Sequence, residues 1–110
     1  MLRHPIGQYN RIGLVQRPLE GEQNAYLEAP QQWETIATRW VRLEPLGGRE
    51  LVNAQQLLLA VSHRLNFRWV DGMTSRCRVV VGDREFNLGS VVDLNDLREE
   101  AECLGQEKIA

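Results

Sequence analysis

A strict two-residue alternation runs through residues 62–70 and constrains the fold of this chain more than any other feature. The positions of one parity are His63, Leu65, Phe67 and Trp69, and those of the other are Ser62, Arg64, Asn66 and Arg68. Because successive side chains of a β-strand point to opposite faces, this pattern predicts a strand with one buried face.

Similar signals recur along the chain, separated by turn residues. Gly82 and Asp83 are typical of a tight hairpin between two Val-containing segments, and prolines end two earlier segments. The predicted strands are residues 11–17, 33–44, 62–70, 77–81, 84–92 and 98–104. The polarity of the last segment fits either a final edge strand or a short helix, and the strand is our prediction. Several short strands separated by turns predict a mainly β fold, either a sandwich or a small five- or six-stranded barrel. The latter is our prediction.

Residues 33–44 alternate imperfectly. Ile36 and Trp40 have the opposite parity to Val41 and Leu43. Either a bulge or a strand with apolar residues on both faces would produce this pattern. The polar residues 19–32 before this segment predict a long loop.

Residues 46–61 break the β pattern between the second and third strands. Gly47 and Gly48 give a flexible start, and good helix formers follow. A stripe at helical spacing predicts about three turns of amphipathic helix, with Leu51, Ala54, Leu58 and Val61 on it. A single short helix must rest this stripe on the sheet or on another subunit.

Composition limits the function classes. The chain has 110 residues, a formal charge of −2 and two cysteines, Cys77 and Cys103, which we expect to be reduced and partly buried. No apolar run has the length of a membrane span, and the first residues lack the apolar core of a secretion signal. No phosphate-binding loop, nucleophile elbow or zinc motif is present. We therefore expect no enzyme, no cofactor and no metal site, and we interpret His63 as a packed, hydrogen-bonded residue.

Charge is divided between two segments. Residues 62–84 contain five Arg and two Asp, whereas residues 93–110 contain six acidic residues, one Arg and one Lys. Opposite charges on separate segments suit a head-to-tail contact between subunits. The predicted interface residues are Arg64, Arg68, Arg76 and Arg78 on one side and Asp96, Glu99, Glu100 and Glu102 on the other. A solvated acidic edge is the alternative explanation for the second set.

Seven short motifs occur in order over residues 11–104: GLVQRPLE, WETIATRWVRLEPLGGREL, AQQ, SHRLNFRW, GMT, RVVVGDREF and LREEAECL. Together they resemble the head-closure, or head–tail joining, proteins of tailed bacteriophages.

The resemblance implies a structural virion protein without enzymatic activity. It implies a single barrel domain over residues 1–110, with an N-terminal arm at 1–10 and a C-terminal tail at 105–110. Copies would form a ring, commonly twelvefold, between portal and adaptor on one side and tail proteins on the other. The ring would be assembled in the host cytoplasm. It would contact packaged double-stranded DNA as the DNA passes, and it would have no membrane partner.

In related stopper proteins the excursion between the second and third strands projects toward the central channel, and here it spans residues 45–61. The resemblance thus implies a channel or interface role for Gly47, Gly48, Arg49, Glu50, Leu51, Gln55, Gln56 and Leu58. A tail-terminator or tail-completion protein, and a nucleic-acid-binding small barrel, remain alternatives.

Overall fold

The structure is a computed structural model and describes residues 4–19, 32–57 and 60–108. A 3-10 turn over Ile6–Gln8 comes first, and a second one follows β5. The regular elements are β1 (Arg11–Pro18), β2 (Trp33–Pro45), α1 (Gly48–Gln56), β3 (His63–Arg68), β4 (Arg78–Val81), β5 (Arg84–Asp93) and β6 (Glu100–Glu107). The predicted loop at 19–32 and the stripe residue Leu58 fall mainly or wholly outside the described residues.

The six strands close into an antiparallel barrel in the order β1-β2-β3-β6-β5-β4. The hairpins β1–β2, β2–β3, β4–β5 and β5–β6 supply four of the pairings, and β3–β6 and β1–β4 complete the circle. The prediction of a mainly β fold with a small barrel is confirmed. The prediction of a final edge strand is wrong, because β6 pairs with β3 on one side and β5 on the other.

The interior of the barrel is filled by residues of alternating parity from every strand. Those with no exposed surface include Val15, Val41, Leu65, Phe67, Val79, Phe86, Ala101 and Cys103. Burying one such Val, Leu or Phe side chain contributes roughly 1.5–3 kcal/mol. Both cysteines are free and buried, as expected for reduced thiols.

A glycine allows two walls of the barrel to approach each other closely. A Cβ atom at Gly13 would lie 2.6 Å from Val41 Cγ2 and 3.1 Å from Val79 Cγ1. The absence of a side chain at this position in β1 is therefore required by the packing of the core.

The imperfect alternation of β2 results from a bulge. Val15 pairs with Ala37 and Gln16 with Thr35, so Ile36 is an extra residue in β2. Ile36 and Ala37 both pack against the core, and Trp40 is left on the outer surface with 58% of its area exposed. Both explanations offered by the sequence thus apply. The bulge accounts for Ile36, and Trp40 is an apolar residue on the outer face of the strand.

The helix between β2 and β3 is shorter than predicted. α1 has nine residues, about two and a half turns, and Val61 lies beyond its end. Ala54 of the stripe is buried, Leu51 is half-buried and Val61 is buried. None of the helices in the described part of the chain is long and apolar enough to cross a membrane.

Candidate functional site

The excursion leaves the barrel from a point where β2 and β3 are still paired. Pro45 is opposite His63, and the Leu46 amide donates to the Ser62 carbonyl at 2.9 Å. Gly47 is the N-cap of α1 and contributes no side-chain cap, and Gly48 has a φ of 56°, in the left-handed region that favours glycine. Gly47 is extended, and Gly48 allows the chain to turn at the start of α1.

α1 presents most of its surface to solvent. Arg49, Glu50, Gln55 and Gln56 are exposed, together with two apolar side chains, Val52 at 50% and Leu57, just after the helix, at 72%. Among the described elements, α1 makes few contacts with the strands. The apolar surface of the excursion is therefore only partly covered by its own barrel.

Arg64 is the centre of an ion-pair network that links α1 to the barrel. Its guanidinium lies 2.9 Å from Glu50 of α1, 3.0 Å from Glu44 of β2 and 3.0 Å from Glu102 of β6. The hydrogen bond from Arg42 to Glu44 lowers the pKa of that carboxyl, and Arg64 lowers it further. The first turn of α1 is thus held to the outer face of β3 by charge.

The four predicted interface arginines have different environments. Arg64 and Arg78 are paired within the chain, Arg78 with Glu85 at 3.3 Å and with its guanidinium 4.3 Å from the centre of the Trp33 ring. Arg68 and Arg76 are exposed. The role of these residues between subunits stays a prediction.

The four predicted acidic interface residues also differ in their environments. Asp96 and Glu99 are exposed, whereas Glu102 pairs with Arg64 and Glu100 is 2% exposed. Glu100 is thus enclosed by its own chain, an environment that sequence reasoning missed.

Residues 4–10, which precede β1 and are here called the N-terminal strap, cover Glu100. Tyr9 donates its hydroxyl hydrogen to Glu100 Oε1 at 3.0 Å, and Asn66 Nδ2 donates to Glu100 Oε2 at 2.8 Å. Arg42 Nε donates to Gln8 Oε1 at 2.9 Å. Burial, reinforced by the hydrogen bond to Glu100, raises the pKa of Tyr9 to about 12. The segment before β1 is therefore bonded to β2 through Gln8 and to β6 through Tyr9. No local sequence signal identifies these partners, which lie far apart in the chain.

His63 has the expected packed, hydrogen-bonded environment. Its ring lies edge-on to Phe86 at 5.1 Å, and its Nδ1 is 2.8 Å from Ser62 Oγ. Ser62 Oγ also accepts a hydrogen bond from the Glu107 amide, and Glu107 is held by two bonds from Arg84. Burial lowers the pKa of His63. The His63 ring is thus held by packing on Phe86 and by the polar contacts of Ser62 and Glu107, whose carboxylate lies 4.0 Å from His63 Nε2.

The described residues outside this network also contain few candidate metal or ligand sites. Within residues 4–19, 32–57 and 60–108, no group of three or more His, Cys, Asp or Glu side chains is arranged to hold a metal ion. An open cleft of about 570 Å³ is lined in part by Arg17, Glu34, Thr74 and Arg76. Arg17 and Glu34 already form an ion pair at 2.8 Å across that cleft.

Two pairs of large apolar side chains lie exposed on the outside of the barrel, and sequence reasoning did not single them out. Ile12 and Trp40 are opposite each other on β1 and β2, and are 55% and 58% exposed. Val92 on β5 and Leu97 after the second 3-10 turn are 50% and 62% exposed. The signal for Trp40 was its parity, opposite to that of the buried Val41.

These features define a class of protein, a small closed antiparallel barrel with a helical excursion and an N-terminal strap on its outer surface. The chain matches the phage head completion protein family over residues 5–108 and belongs to that family. The family is a structural one. The protein therefore has a structural role in completing the phage head, is a component of the virion and interacts with other head or tail proteins.

Comparison with solved structures agrees on the fold. The solution structure of protein SF1141 from Shigella flexneri 2a superposes with a TM-score of 0.65 at 19% identity, over 94% of this chain and 96% of that one. At this identity the similarity shows the fold alone. No curated protein matched the chain.

Proposed function

We propose that this chain is one copy of a ring, commonly of twelve, that closes the DNA-filled head below the portal and adaptor and presents the surface on which the tail docks. Assembly would take place in the host cytoplasm, with residues 1–110 forming one domain. The proposal is supported by membership of the head completion family and, above all, by α1, which leaves the barrel and exposes apolar surface that one copy does not cover.

The closed barrel limits how copies can meet. A sheet edge offers unpaired backbone groups to a partner strand, but all six strands here are paired on both sides. Within the described residues, contacts between copies are therefore left to side chains on the outer faces, the strap or the excursion. A ring built in this way needs two different, complementary faces on each copy.

The excursion at residues 45–61 is suited to close a channel through which DNA must later slide. Residues 47–61 contain one Arg and one Glu, beside four Leu, two Gln and one Asn. A segment of this kind obstructs the bore by its volume without holding phosphates, and strong phosphate contacts would resist ejection. The hinge is Gly47-Gly48, and the contacts to be released are the partly exposed ion pair between Glu50 and Arg64 and the burial of Ala54 and Val61.

The test removes the excursion and keeps the barrel. Residues 49–59 are replaced by a short Gly-Ser linker, and the variant complements a phage that lacks the gene. The barrel should persist because Pro45 and His63 are already paired and the Leu46–Ser62 hydrogen bond closes the hairpin beyond them. We expect heads that contain the variant and package DNA but lose it, measured as DNA that becomes sensitive to nuclease.

The matched control is the double variant Asp83→Ala and Asn87→Ala, exposed on the β4–β5 hairpin outside the excursion, which should retain DNA as the wild type does. Heads that carry the linker variant and do not leak would refute the gating role. The same preparations separate the alternatives: a head-closure protein is found on filled heads without tails, whereas a tail-completion protein stays with free tails.

Nucleic-acid binding by the free barrel has less support from the side chains. Arg17, Arg42, Arg64, Arg78 and Arg84 are each paired with a carboxylate of the chain. Such pairing leaves less positive charge for a phosphate backbone. Steep salt-dependent binding of duplex DNA by the isolated protein would favour this alternative instead.

A further inference from the structure

We infer that Glu50 and Arg64 form an electrostatic latch that sets the position of α1, and that the barrel half of this latch stays assembled when the helix is released. The inference rests on the proposed function, because it takes the excursion as the moving part and specifies what controls its movement. Arg64, on β3, is the fixed half, and Glu50, in the first turn of α1, is the mobile half.

Arg64 is held in place by the barrel as well as by α1. Its Nη1 lies 3.0 Å from Glu44 Oε1 on β2, and its Nε lies 3.0 Å from Glu102 Oε1 on β6. Glu44 is in turn held by Arg42, whose Nη2 lies 2.7 Å from the second carboxylate oxygen. The contact with α1 uses the remaining nitrogen of Arg64, Nη2, at 2.9 Å from Glu50 Oε2. The guanidinium is therefore already ordered before α1 docks, and it keeps two carboxylate partners when α1 leaves.

Glu50 is the one acidic residue in the sequence of α1. Its side chain is 54% exposed, against 22% for Arg64, so water and ions reach the pair from the helix side. An ion pair of this kind contributes modestly and is screened by salt. A carboxylate in the first turn also favours the helix through the backbone N–H groups, and this support does not depend on Arg64. The pair can therefore open while α1 remains helical.

The apolar contact of α1 with the rest of the subunit is small. Ala54 is the buried residue of the helix, at 5% exposure, whereas Val52 is 50% exposed and Leu57, just after the helix, is 72% exposed. One buried methyl group removes far less apolar area from water than a buried Val or Leu side chain does. Gly48, with its φ of 56°, gives the chain freedom where the helix begins. The ion pair therefore carries the directional part of the attachment.

The test measures the position of α1 in the isolated protein. Spin labels are attached at Gln55→Cys, on the exposed side of α1, and at Asn87→Cys, on the outside of β5, and their separation is measured by pulsed electron paramagnetic resonance. The native Cys77 and Cys103 are buried and should remain unlabelled. At low ionic strength we expect one narrow distance distribution. Adding Glu50→Gln should produce a second, broader distribution, with a rise of up to about fivefold in the ratio of released to docked helix.

The matched control is Glu34→Gln in the same labelled background. It removes another exposed ion pair, with Arg17 at 2.8 Å, at the end of β2 remote from the excursion. Its distance distribution should equal that of the unsubstituted protein.

Salt gives a second measurement that needs no substitution in the latch. At an ionic strength of about 1 M the Debye length is about 3 Å, so the labelled wild type should shift toward the distribution of Glu50→Gln. The variant itself should respond little, because it lacks the charge that salt screens.

An unchanged distance distribution in Glu50→Gln, or the same salt response in both proteins, would overturn the latch and leave the proposed ring standing. A released helix in Glu50→Gln, together with heads that carry the linker variant and do not leak, would instead refute the gating role and leave the latch in place.

Discussion

Replacing Tyr9 by Phe removes a single hydroxyl from the N-terminal strap. The aromatic ring of the side chain is retained in this variant, so the apolar area that Tyr9 buries is almost unchanged. The lost contact is the 3.0 Å hydrogen bond to Glu100 Oε1, in a site where Tyr9 is 6% exposed and Glu100 2%. The variant therefore isolates one polar contact between the strap and the barrel.

The expected cost follows from the burial of Glu100. A hydrogen bond to a charged group contributes about 1.5–3 kcal/mol. Asn66 still donates to the other carboxylate oxygen at 2.8 Å, so Glu100 keeps polar contacts in the variant. We expect the free energy of unfolding to fall by about 2 kcal/mol.

Urea unfolding measures this loss. With an m-value of roughly 1–3 kcal/mol per molar urea, a loss of this size moves the midpoint down by about 1 M. The control is Trp40→Phe, which changes an exposed aromatic residue and should leave the midpoint in place. A change below about 0.5 kcal/mol for Tyr9→Phe, the usual range for surface substitutions, would refute the view that the strap is fastened at this residue.

Two further results are expected. Gly13→Ala should destabilise the barrel by about 1–3 kcal/mol in the same urea assay, because its Cβ would meet Val41 Cγ2 at 2.6 Å. The control Gly7→Ala, whose Cβ would have nothing within 4 Å, should leave the stability unchanged. Equal urea midpoints for the two variants would contradict this packing argument. Burial raises the pKa of Cys103 from 9.0 to about 12, and that of Tyr9 is raised from 10.0 to about 12. The stability that these protonated groups provide is thus complete below pH 9 and lost as the pH rises toward 12. The slope of unfolding free energy over that interval should be smaller in Cys103→Ala than in the wild type, and an unchanged slope would show that Cys103 does not titrate with folding.

The local elements were predictable because their signals are local. Alternation identified β3, and the Gly82-Asp83 turn identified the β4–β5 hairpin. The two glycines placed the start of α1 correctly. In each case the deciding residues lie within a few positions of one another, so the sequence carries the information directly.

The closure of the barrel was not predictable in the same way. The β3–β6 and β1–β4 pairings join segments that are distant in the chain, and their register depends on which side chains fill the shared interior. This is why β6 was predicted as an edge strand and why the burial of Glu100 was missed. Glu100 has the polarity of a surface residue, and its partners Tyr9 and Asn66 lie far from it in the chain.

The same separation explains why charge along the sequence was an incomplete guide to assembly. Arg64 belongs to the basic segment and Glu102 to the acidic one, yet antiparallel pairing of β3 with β6 brings them within 3.0 Å inside one subunit. Oppositely charged segments can therefore pair with each other within one subunit, and their charge is then not available to a neighbouring subunit. What remains for a neighbour is the charge at positions that the barrel leaves exposed, such as Arg68 and Asp96. Since all six strands of the described residues are already paired, copies that meet through this part of the chain recognise one another through such exposed side chains, and assembly is then weakened by substitutions that leave the barrel itself intact.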